Sequence, residues 1–474
     1  MLNKSTLVVD LDGTLIKSDV LVETLLKYFK ANVVNIYFFI LFFFKGKSVL
    51  KHEISKSVDI DTSILPYNQD VISYIEREKG IGRTVVLATA TNIKYAEQIS
   101  AHIGLFDDVI ASDYDNNLAS TKKADELVKR YGERGFDYIG NSKADLKVWA
   151  KAQNAIVVNP DRGVLAKAKS QGNVTEVFEN RPNFVKTLLK ALRVHQYAKN
   201  ALIFVPLVAS HQLFDLSNIT TALTAFCIFS LCASTVYLLN DLLDLEDDRH
   251  HKTKCRRPFA SGALDVRFGV VLCPVMLSIV IILSLLLLPI EFFAVLVVYY
   301  VATLLYSFKL KRMVVVDVIT LATLYTVRIV AGSAALGLTL SFWLLAFSMF
   351  IFLSLALVKR YAELNELKLS GISKVRGRGY HPSDLELLSS LGASSGYLSV
   401  LVLALYINDS NTAALYKDPT YIWLACPLLL YWVTRTWMIT HRGHMHDDPV
   451  VFALKDRVSQ VVGCLFILVF WLAI

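Results

Sequence analysis

Polar and apolar positions fall into two regimes along this chain. Up to about residue 180, short apolar runs alternate with polar stretches, as in an ordinary globular domain. From 200 onward, long apolar runs are separated by charged loops. In the first regime Leu7-Val8-Val9 reads as a buried strand and Val85-Val86-Leu87-Ala88 as the next one. In the second, about nine apolar segments lie near 200–214, 219–240, 268–288, 291–308, 314–335, 341–359, 387–407, 421–440 and 457–474. Each approaches the length of a bilayer-crossing helix, several near the short limit. An all-α polytopic membrane bundle is therefore predicted for the second regime.

Composition supports the division. Of 474 residues, 54% are hydrophobic and 19% charged, and the mean hydropathy of +0.46 is too high for a soluble protein of this size. A boundary falls in the polar stretch around Asn180-Arg-Pro-Asn183, giving domains 1–180 and 181–474. Charge then orients the spans. Arg249, Lys252, Lys254, Arg256, Arg257 and Arg267 follow the second segment; Lys309, Lys311 and Arg312 follow the fourth; Lys359, Arg360, Lys368, Lys374, Arg376 and Arg378 follow the sixth. Loops near 288–291 and 336–341 carry no Lys or Arg, and 408–420 has only Lys417. The positive-inside rule puts the basic loops on the cytoplasmic side. The N-terminus lacks the apolar core of a signal peptide, so the first domain is expected there too, on an inner or plasma membrane. Part of the +8 net charge is thus topology and attraction to anionic lipid, and no nucleic-acid motif is visible. Six cysteines without zinc or disulfide spacing read as packing residues.

The most chemically loaded stretch follows the second segment. Asn240-Asp241-Leu-Leu-Asp244-Leu-Glu246-Asp247-Asp248-Arg249 sets five carboxylates where an apolar helix leaves the membrane. Asp241, Asp244 and Asp248 stand at i, i+3 and i+7, on one face of a continuing helix. A few carboxylates on one face suit Mg²⁺, which completes its octahedron with water and substrate phosphates. Lys254, Arg256 and Arg257 would grip the rest of a polyanion. A solvated helix end is the bland explanation of such a cluster; the spacing, Asn240 and the basic run favour a site.

This pattern resembles the first motif of the UbiA superfamily of membrane prenyltransferases, helical bundles of about nine spans. Within it, His195-Gln-Tyr-Ala-Lys199-Asn200, Asp248-Arg249-x-His251-x-x-Lys254-x-x-Arg257-Pro258, Tyr306-Ser307-x-x-Leu310-Lys311 with Asp317, Arg328 with Gly332, and Lys359-Arg360-Tyr361-Ala-Glu363 resemble the decaprenyl-phosphate phosphoribosyltransferases. The resemblance implies Mg²⁺-dependent transfer of 5-phosphoribose from phosphoribosyl diphosphate to a polyprenyl phosphate at the cytoplasmic face, for cell-wall biosynthesis. Asp241, Asp244 and Asp248 would hold Mg²⁺ against the diphosphate, with Asn240 beside them and Asp317 a ligand of a second Mg²⁺. Lys199, Arg249, Lys254, Arg257, Lys309, Lys311, Lys359 and Arg360 are the candidate phosphate contacts. Arg328 lies inside an apolar segment, where a charge normally faces a cavity or partner. Tyr306, Tyr361 and Tyr380 are candidate site-lining residues. The wider superfamily often has two acidic residues in its second motif, whereas this chain has one there. Transfer of a prenyl group from its diphosphate to an aromatic acceptor uses the same Mg²⁺ logic and stays open.

The other end carries a second motif. Asp10-Leu11-Asp12-Gly13-Thr14 follows the first strand and resembles the opening motif of the haloacid dehalogenase superfamily, mostly phosphatases on a doubly wound α/β sheet. The resemblance makes Asp10 the nucleophile and Asp12 the acid and base, two positions apart so that both meet one phosphoryl group. Thr89 matches the phosphate-binding hydroxyl and Lys123 the phosphate-stabilising lysine, with Lys122 a rival. Asn141 and Asp145 match the last acidic motif, joining Asp10 and Asp12 around Mg²⁺. Asn141 departs from an acid there, which puts turnover in doubt. A small helical cap is expected at about 19–80. Within it the apolar run 33–44 is too short to span comfortably and suits either an interfacial insertion or a buried cap helix. The expected task of this domain is removal of the 5-phosphate from the phosphoribosyl lipid. Ion pumps also join such a motif to membrane spans, but they carry Lys-Thr-Gly-Thr after the aspartate; here Leu-Asp-Gly-Thr follows, with no room for a nucleotide domain. A scaffold with a degenerate phosphatase has only Asn141 in its favour.

Overall fold

The computed structural model describes residues 5–32, 47–114, 116–369, 379–408, 416–445 and 448–473. The run 33–44 and the cations Lys374, Arg376 and Arg378 lie outside the described residues. Packing divides the chain into two units, residues 1–193 with 237–275, and residues 194–236 with 276–474.

The first unit holds a six-stranded sheet: β1 (Thr6–Val9), β2 (Val85–Asn92), β3 (Asp108–Ser112), β4 (Phe136–Gly140), β5 (Ala155–Val158) and β6 (Val174–Phe178). Their order is β3-β2-β1-β4-β5-β6, and every pairing is parallel. Alternate residues of each strand feed opposite faces. Leu7, Val9, Leu87, Ile139 and Val158 pack on one side with Tyr95, Ile99 and Ile75. Val8, Val86, Tyr138, Ala155 and Val157 pack on the other with Leu127, Val148 and Trp149. Both faces are covered, so β1 and β4 are mostly apolar, and the buried Asp137 of β4 is paired with Arg83. The sheet and its helices form an α/β fold. Strand order reverses beside β1, whose neighbours are β2 and β4; ligand crevices of open α/β sheets lie beyond the carboxyl ends of strands at such a point.

Helices Val20–Ala31, Lys47–Ser57 and Gln69–Gly80 lie between β1 and β2. Asp19 caps the first of them, accepting from Val22 N at 3.1 Å. Tyr28 packs there with Leu50, Ile54 and Val58. The same unit contains the end of helix Leu216–Leu243, the short helix Leu245–His250 and the start of helix Val266–Leu287.

Among the described residues seven helices are long and apolar enough to cross a membrane: Leu216–Leu243, Val266–Leu287, Ile290–Phe308, Val316–Leu336, Phe342–Leu369, Leu385–Ile407 with its leading turn, and Ala425–His441 with its own. A bent pair, Pro449–Lys455 and Arg457–Ala473, meeting at 81°, makes up to eight. The expectation of about nine spans is corrected at 200–214. That stretch is the tail of a 3-10 run, Val194–Phe204, followed by the five-residue helix Val205–Ala209. His211 then takes a left-handed φ of 57°, ending the helix before it can cross.

Within the second unit, Val318, Tyr325, Ile329, Leu355, Val358, Tyr361 and Trp437 share one core. Gly332 lets the 3-10 run approach, because a Cβ there would lie 2.0 Å from the Ile203 carbonyl oxygen. Ile282, Leu286, Val298 and Val301 are exposed, as lipid-facing side chains are.

Candidate functional site

Three constellations emerge. The first lies around the ends of β1 and β4. Asp10 is buried and receives Lys123 Nζ at 2.6 Å on Oδ1 and Thr14 Oγ1 at 3.4 Å on Oδ2. Burial pushes the Asp10 carboxyl up to about 6 against the opposing pull of Lys123. Asp12 is pushed up to about 7, by burial first and the charge of Asp19 next. It accepts from Val20 N at 2.9 Å and Thr91 Oγ1 at 2.5 Å. Lys123 also donates to Tyr138 Oη at 2.9 Å, while Lys122 is exposed. Thr89 is buried in β2, where its Oγ1 accepts from Thr91 N at 3.0 Å.

Asp145 organises the loop after β4. Its Oδ2 accepts from Asn141 N at 3.2 Å, Ser142 N at 2.9 Å and Ser142 Oγ at 2.7 Å, and its Oδ1 from Tyr138 Oη at 2.9 Å. Gly13 has a φ of 77°, and a Cβ there would meet Asn141 Nδ2 at 2.2 Å, so the two loops touch only because residue 13 is glycine. Asn141 Oδ1 is buried and has no hydrogen-bond donor among the described residues. An unspent acceptor beside the Asp10–Asp12 loop fits a cation ligand.

The second constellation is the acidic segment. The helix ending at Leu243 bends at Asp244 (φ −100°, ψ 19°), although the bonds Asp244 N–Asn240 O at 2.9 Å and Asp248 N–Asp244 O at 2.8 Å carry through. The three carboxylates therefore do not share one set of partners. Asp241 and Asp248, both buried, accept from the same Arg257 Nη1 at 3.1 and 2.6 Å, and Arg193 also pairs with Asp241. Burial raises the Asp248 carboxyl against the pull of Arg257. Asp244 joins Asp247 in accepting from Lys30 Nζ, at 2.8 and 2.9 Å. Arg249 makes a bidentate pair with Glu23, at 2.8 and 2.6 Å, and its Nε donates to the Ala260 carbonyl at 2.9 Å. Lys27 pairs with Glu246 at 2.5 Å. Among the described residues no three His, Cys, Asp or Glu groups assemble as a metal cluster. Asp241 and Asp248 nonetheless converge on one cationic atom, a geometry that fits a cation between them.

The third constellation belongs to the second unit. Lys199 and Lys359 meet on Asp448 Oδ2 at 2.7 and 2.9 Å, and Tyr325 Oη donates to its Oδ1 at 3.1 Å. Burial, then the charge of Lys359, lowers Lys199 to about 8, while the two lysines hold Asp448 well below the usual carboxylate range. Arg360 is buried and paired with Asp317 at 2.9 Å and with Glu363 at 2.5 Å; Tyr380 Oη donates to Asp317 at 2.5 Å. Arg328 is buried, its Nε donating to Asn200 Oδ1 at 2.8 Å and its guanidinium lying over Phe229, Tyr299 and Tyr325. That is the partnered intramembrane charge its position called for. Tyr306, Lys311 and Asn240 are half-buried, and Lys254 and Lys309 are exposed. Sequence reasoning passed over Asp448, Glu23, Lys30 and Arg193. For Asp448 a signal existed, since an aspartate before proline marks a helix start, here Pro449–Lys455.

The model of the UbiA prenyltransferase family matches residues 201–471, more than half of the chain, and the chain belongs to that family. With its apolar helices, this makes it an integral, multi-pass membrane protein. An uncharacterised protein of Sinorhizobium fredii is 37% identical over 472 residues, spanning 99% of this chain and 91% of its own length. The nodulation protein NoeC of Azorhizobium caulinodans is 35% identical, over 58% of this chain and 89% of its own. A decaprenyl-phosphate phosphoribosyltransferase of Mycolicibacterium smegmatis is 30% identical, over 59% of this chain and 90% of its own. Among solved structures, a UbiA homologue from Archaeoglobus fulgidus bound to DMAPP and Mg²⁺ is 16% identical, with a TM-score of 0.46, over 60% of this chain and 98% of that one.

Proposed function

We propose that the membrane half transfers 5-phosphoribose from phosphoribosyl diphosphate to a polyprenyl phosphate at the cytoplasmic membrane face. The observation that carries this reading is the 30% identity to a decaprenyl-phosphate phosphoribosyltransferase across 90% of that protein's length. The chemistry agrees with it. Donor and acceptor are both anions, and each unit holds a pair of cations on carboxylates: Arg193 and Arg257 on Asp241 in the first, Lys199 and Lys359 on Asp448 in the second. The acceptor phosphate needs no general base; it attacks ribose C1 as the bond to diphosphate breaks. Asp241 and Asp248, with Asp244, would hold Mg²⁺, which when bound offsets the charge of the departing diphosphate. Arg257 then has to leave the carboxylates it bridges and becomes available to a phosphate oxygen.

The first unit is read as a haloacid dehalogenase-like phosphatase acting on the ribose 5-phosphate. Asp10 just after β1, Thr89 in β2, and Lys123 and Asp145 on the elements flanking β4 stand in the motif order of that superfamily. Asp10 would attack phosphorus and form an aspartyl phosphate, held by Lys123. Asp12, pushed up to about 7 and so about half protonated near neutrality, would give its proton to the leaving hydroxyl and then take one from the hydrolytic water. Asn141 and the acidic groups of this site would hold the Mg²⁺ that neutralises the phosphoryl oxygens.

The test uses membranes carrying the intact protein, a polyprenyl phosphate, ribose-labelled phosphoribosyl diphosphate and Mg²⁺. Label in the lipid fraction, lost with Asp244→Asn, is the expected result. A labelled lipid lacking its 5-phosphate would in addition require Asp10. Absence of label from folded protein would reject the phosphoribosyl donor and turn the search to prenyl diphosphates and aromatic acceptors.

A further inference from the structure

Three donors from three elements converge on one side chain of the second unit. Lys199 lies on the 3-10 run Val194–Phe204, Tyr325 on helix Val316–Leu336 and Lys359 on helix Phe342–Leu369. Both ammonium groups reach the same oxygen of Asp448, and the phenol lies nearer the other, at 3.1 against 3.4 Å. Two ammonium groups this close repel each other and stay together only around an anion. A tripod of two cations and a hydroxyl suits the oxygens of a phosphate group as well as it suits a carboxylate.

The anion present is part of the chain. Asp448 opens the seven-residue helix Pro449–Lys455, which it caps through Val450 N at 3.2 Å. That helix meets Arg457–Ala473 at 81° instead of extending it. The lysines and the tyrosine are anchored in long elements of the core, whereas the carboxylate hangs on a short piece attached at a bend.

We infer that Asp448 is the internal occupant of a phosphate cradle formed by Lys199, Lys359 and Tyr325, and that a substrate phosphate displaces it. The inference rests on the anionic substrates proposed above. Entry of the phosphate separates Asp448 from all three donors and releases helix Pro449–Lys455 from the contacts that hold its first turn. An occupied cradle weakens binding by the fraction of molecules in which the carboxylate is out of the way. The contrary arrangement, a fixed carboxylate that merely orients the lysines, predicts effects of opposite sign.

The full-length protein is tested in detergent with two probes, inorganic diphosphate and a short-chain polyprenyl phosphate. Asp448→Asn should bind the probe that uses the cradle more tightly, on the order of tenfold. Unchanged or weaker binding of both probes overturns the inference. Wild-type protein supplies a second readout that needs no variant: amide hydrogen exchange across 450–455 should rise when the probe is added, and a fall or no change overturns displacement. A response to diphosphate alone assigns the cradle to the sugar donor; a response to the lipid alone assigns it to the acceptor. Neither readout requires turnover. Failed ribosyl transfer with both responses intact would therefore reject the reaction and keep the cradle, while the converse would reject the cradle alone.

Discussion

In the sheet-end site Lys123 reaches Asp10 at 2.6 Å, and in the acidic segment Arg257 reaches Asp241 and Asp248 at 3.1 and 2.6 Å, yet the frames behind the two contacts differ. Asp10 follows a strand hydrogen-bonded on both sides, so its position is set by the sheet. Asp241 and Asp248 straddle a bend, and their meeting depends on an arginine sixteen residues beyond the first of them. A strand end fixes a catalytic residue through the backbone, whereas a helix end fixes one through the counter-charges it recruits. Variants that remove charge should therefore act on chemistry at the first place and on chemistry and assembly together at the second.

The largest effect is expected from Asp10→Asn, which should lower removal of the 5-phosphate by on the order of 10³-fold or more, as loss of a nucleophile does. Transfer of label to lipid should stay within about twofold, because Lys123 and the sheet leave the acidic segment's partners untouched; a parallel loss would break the comparison. Next comes Arg249→Gln. It strands the nearly buried Glu23 carboxylate, and removing one partner of a buried pair costs about 3–5 kcal/mol. Thermal unfolding of the solubilised protein reads that loss. Asp241→Asn should then reduce ribosyl transfer by on the order of 100-fold while leaving phosphate removal alone. Lys30→Gln serves as the contrast to Arg249→Gln: its side chain is 31% exposed, so its pairs with Asp244 and Asp247 contribute under ~1 kcal/mol and the unfolding temperature should barely move.

A pH slope completes the comparison. In metal-free protein the Asp10 and Asp12 carboxyls titrate at about 6 and about 7, above their usual value of 3.8. Both are protonated in folded and unfolded chains below pH 3.8. As pH rises, the unfolded chain releases its protons first, so stability falls as pH climbs through the folded values. Each group contributes at most ~1.4 kcal/mol per pH unit within that window. Asp10→Asn should remove its share of the slope between pH 3.8 and about 6, as followed by denaturant unfolding at stepped pH. A slope of opposite sign would mean that Lys123 outweighs burial at Asp10.

Asp10 and Asp12 were legible in the sequence because they follow a strand whose apolar run announces it. Lys123 is buried against Asp10 and Lys122 is exposed, a difference that adjacent residues on a helix do not express in sequence. The acidic pattern was equally plain, but its i, i+3, i+7 spacing assumes an unbroken helix, and the bend at Asp244 sends that carboxylate to Lys30. Asp448 was missed because its three partners lie 249, 123 and 89 residues away. The stretch 200–214 shows a different limit: hydropathy registers composition and not the 3-10 geometry or the left-handed residue at 211 that stops the helix.

Glu23, Lys27 and Lys30 stand at i, i+4 and i+7 on helix Val20–Ala31, and they meet Arg249, Glu246, and Asp244 with Asp247. This strip is a matched code of signs, minus to plus and plus to minus, written once in each half of the chain. A lineage that exchanged one half for that of a relative would inherit like charges face to face unless the other strip changed with it. The two halves are in that sense a heritable pair, and their charges should covary along the strip even where the surrounding surface drifts.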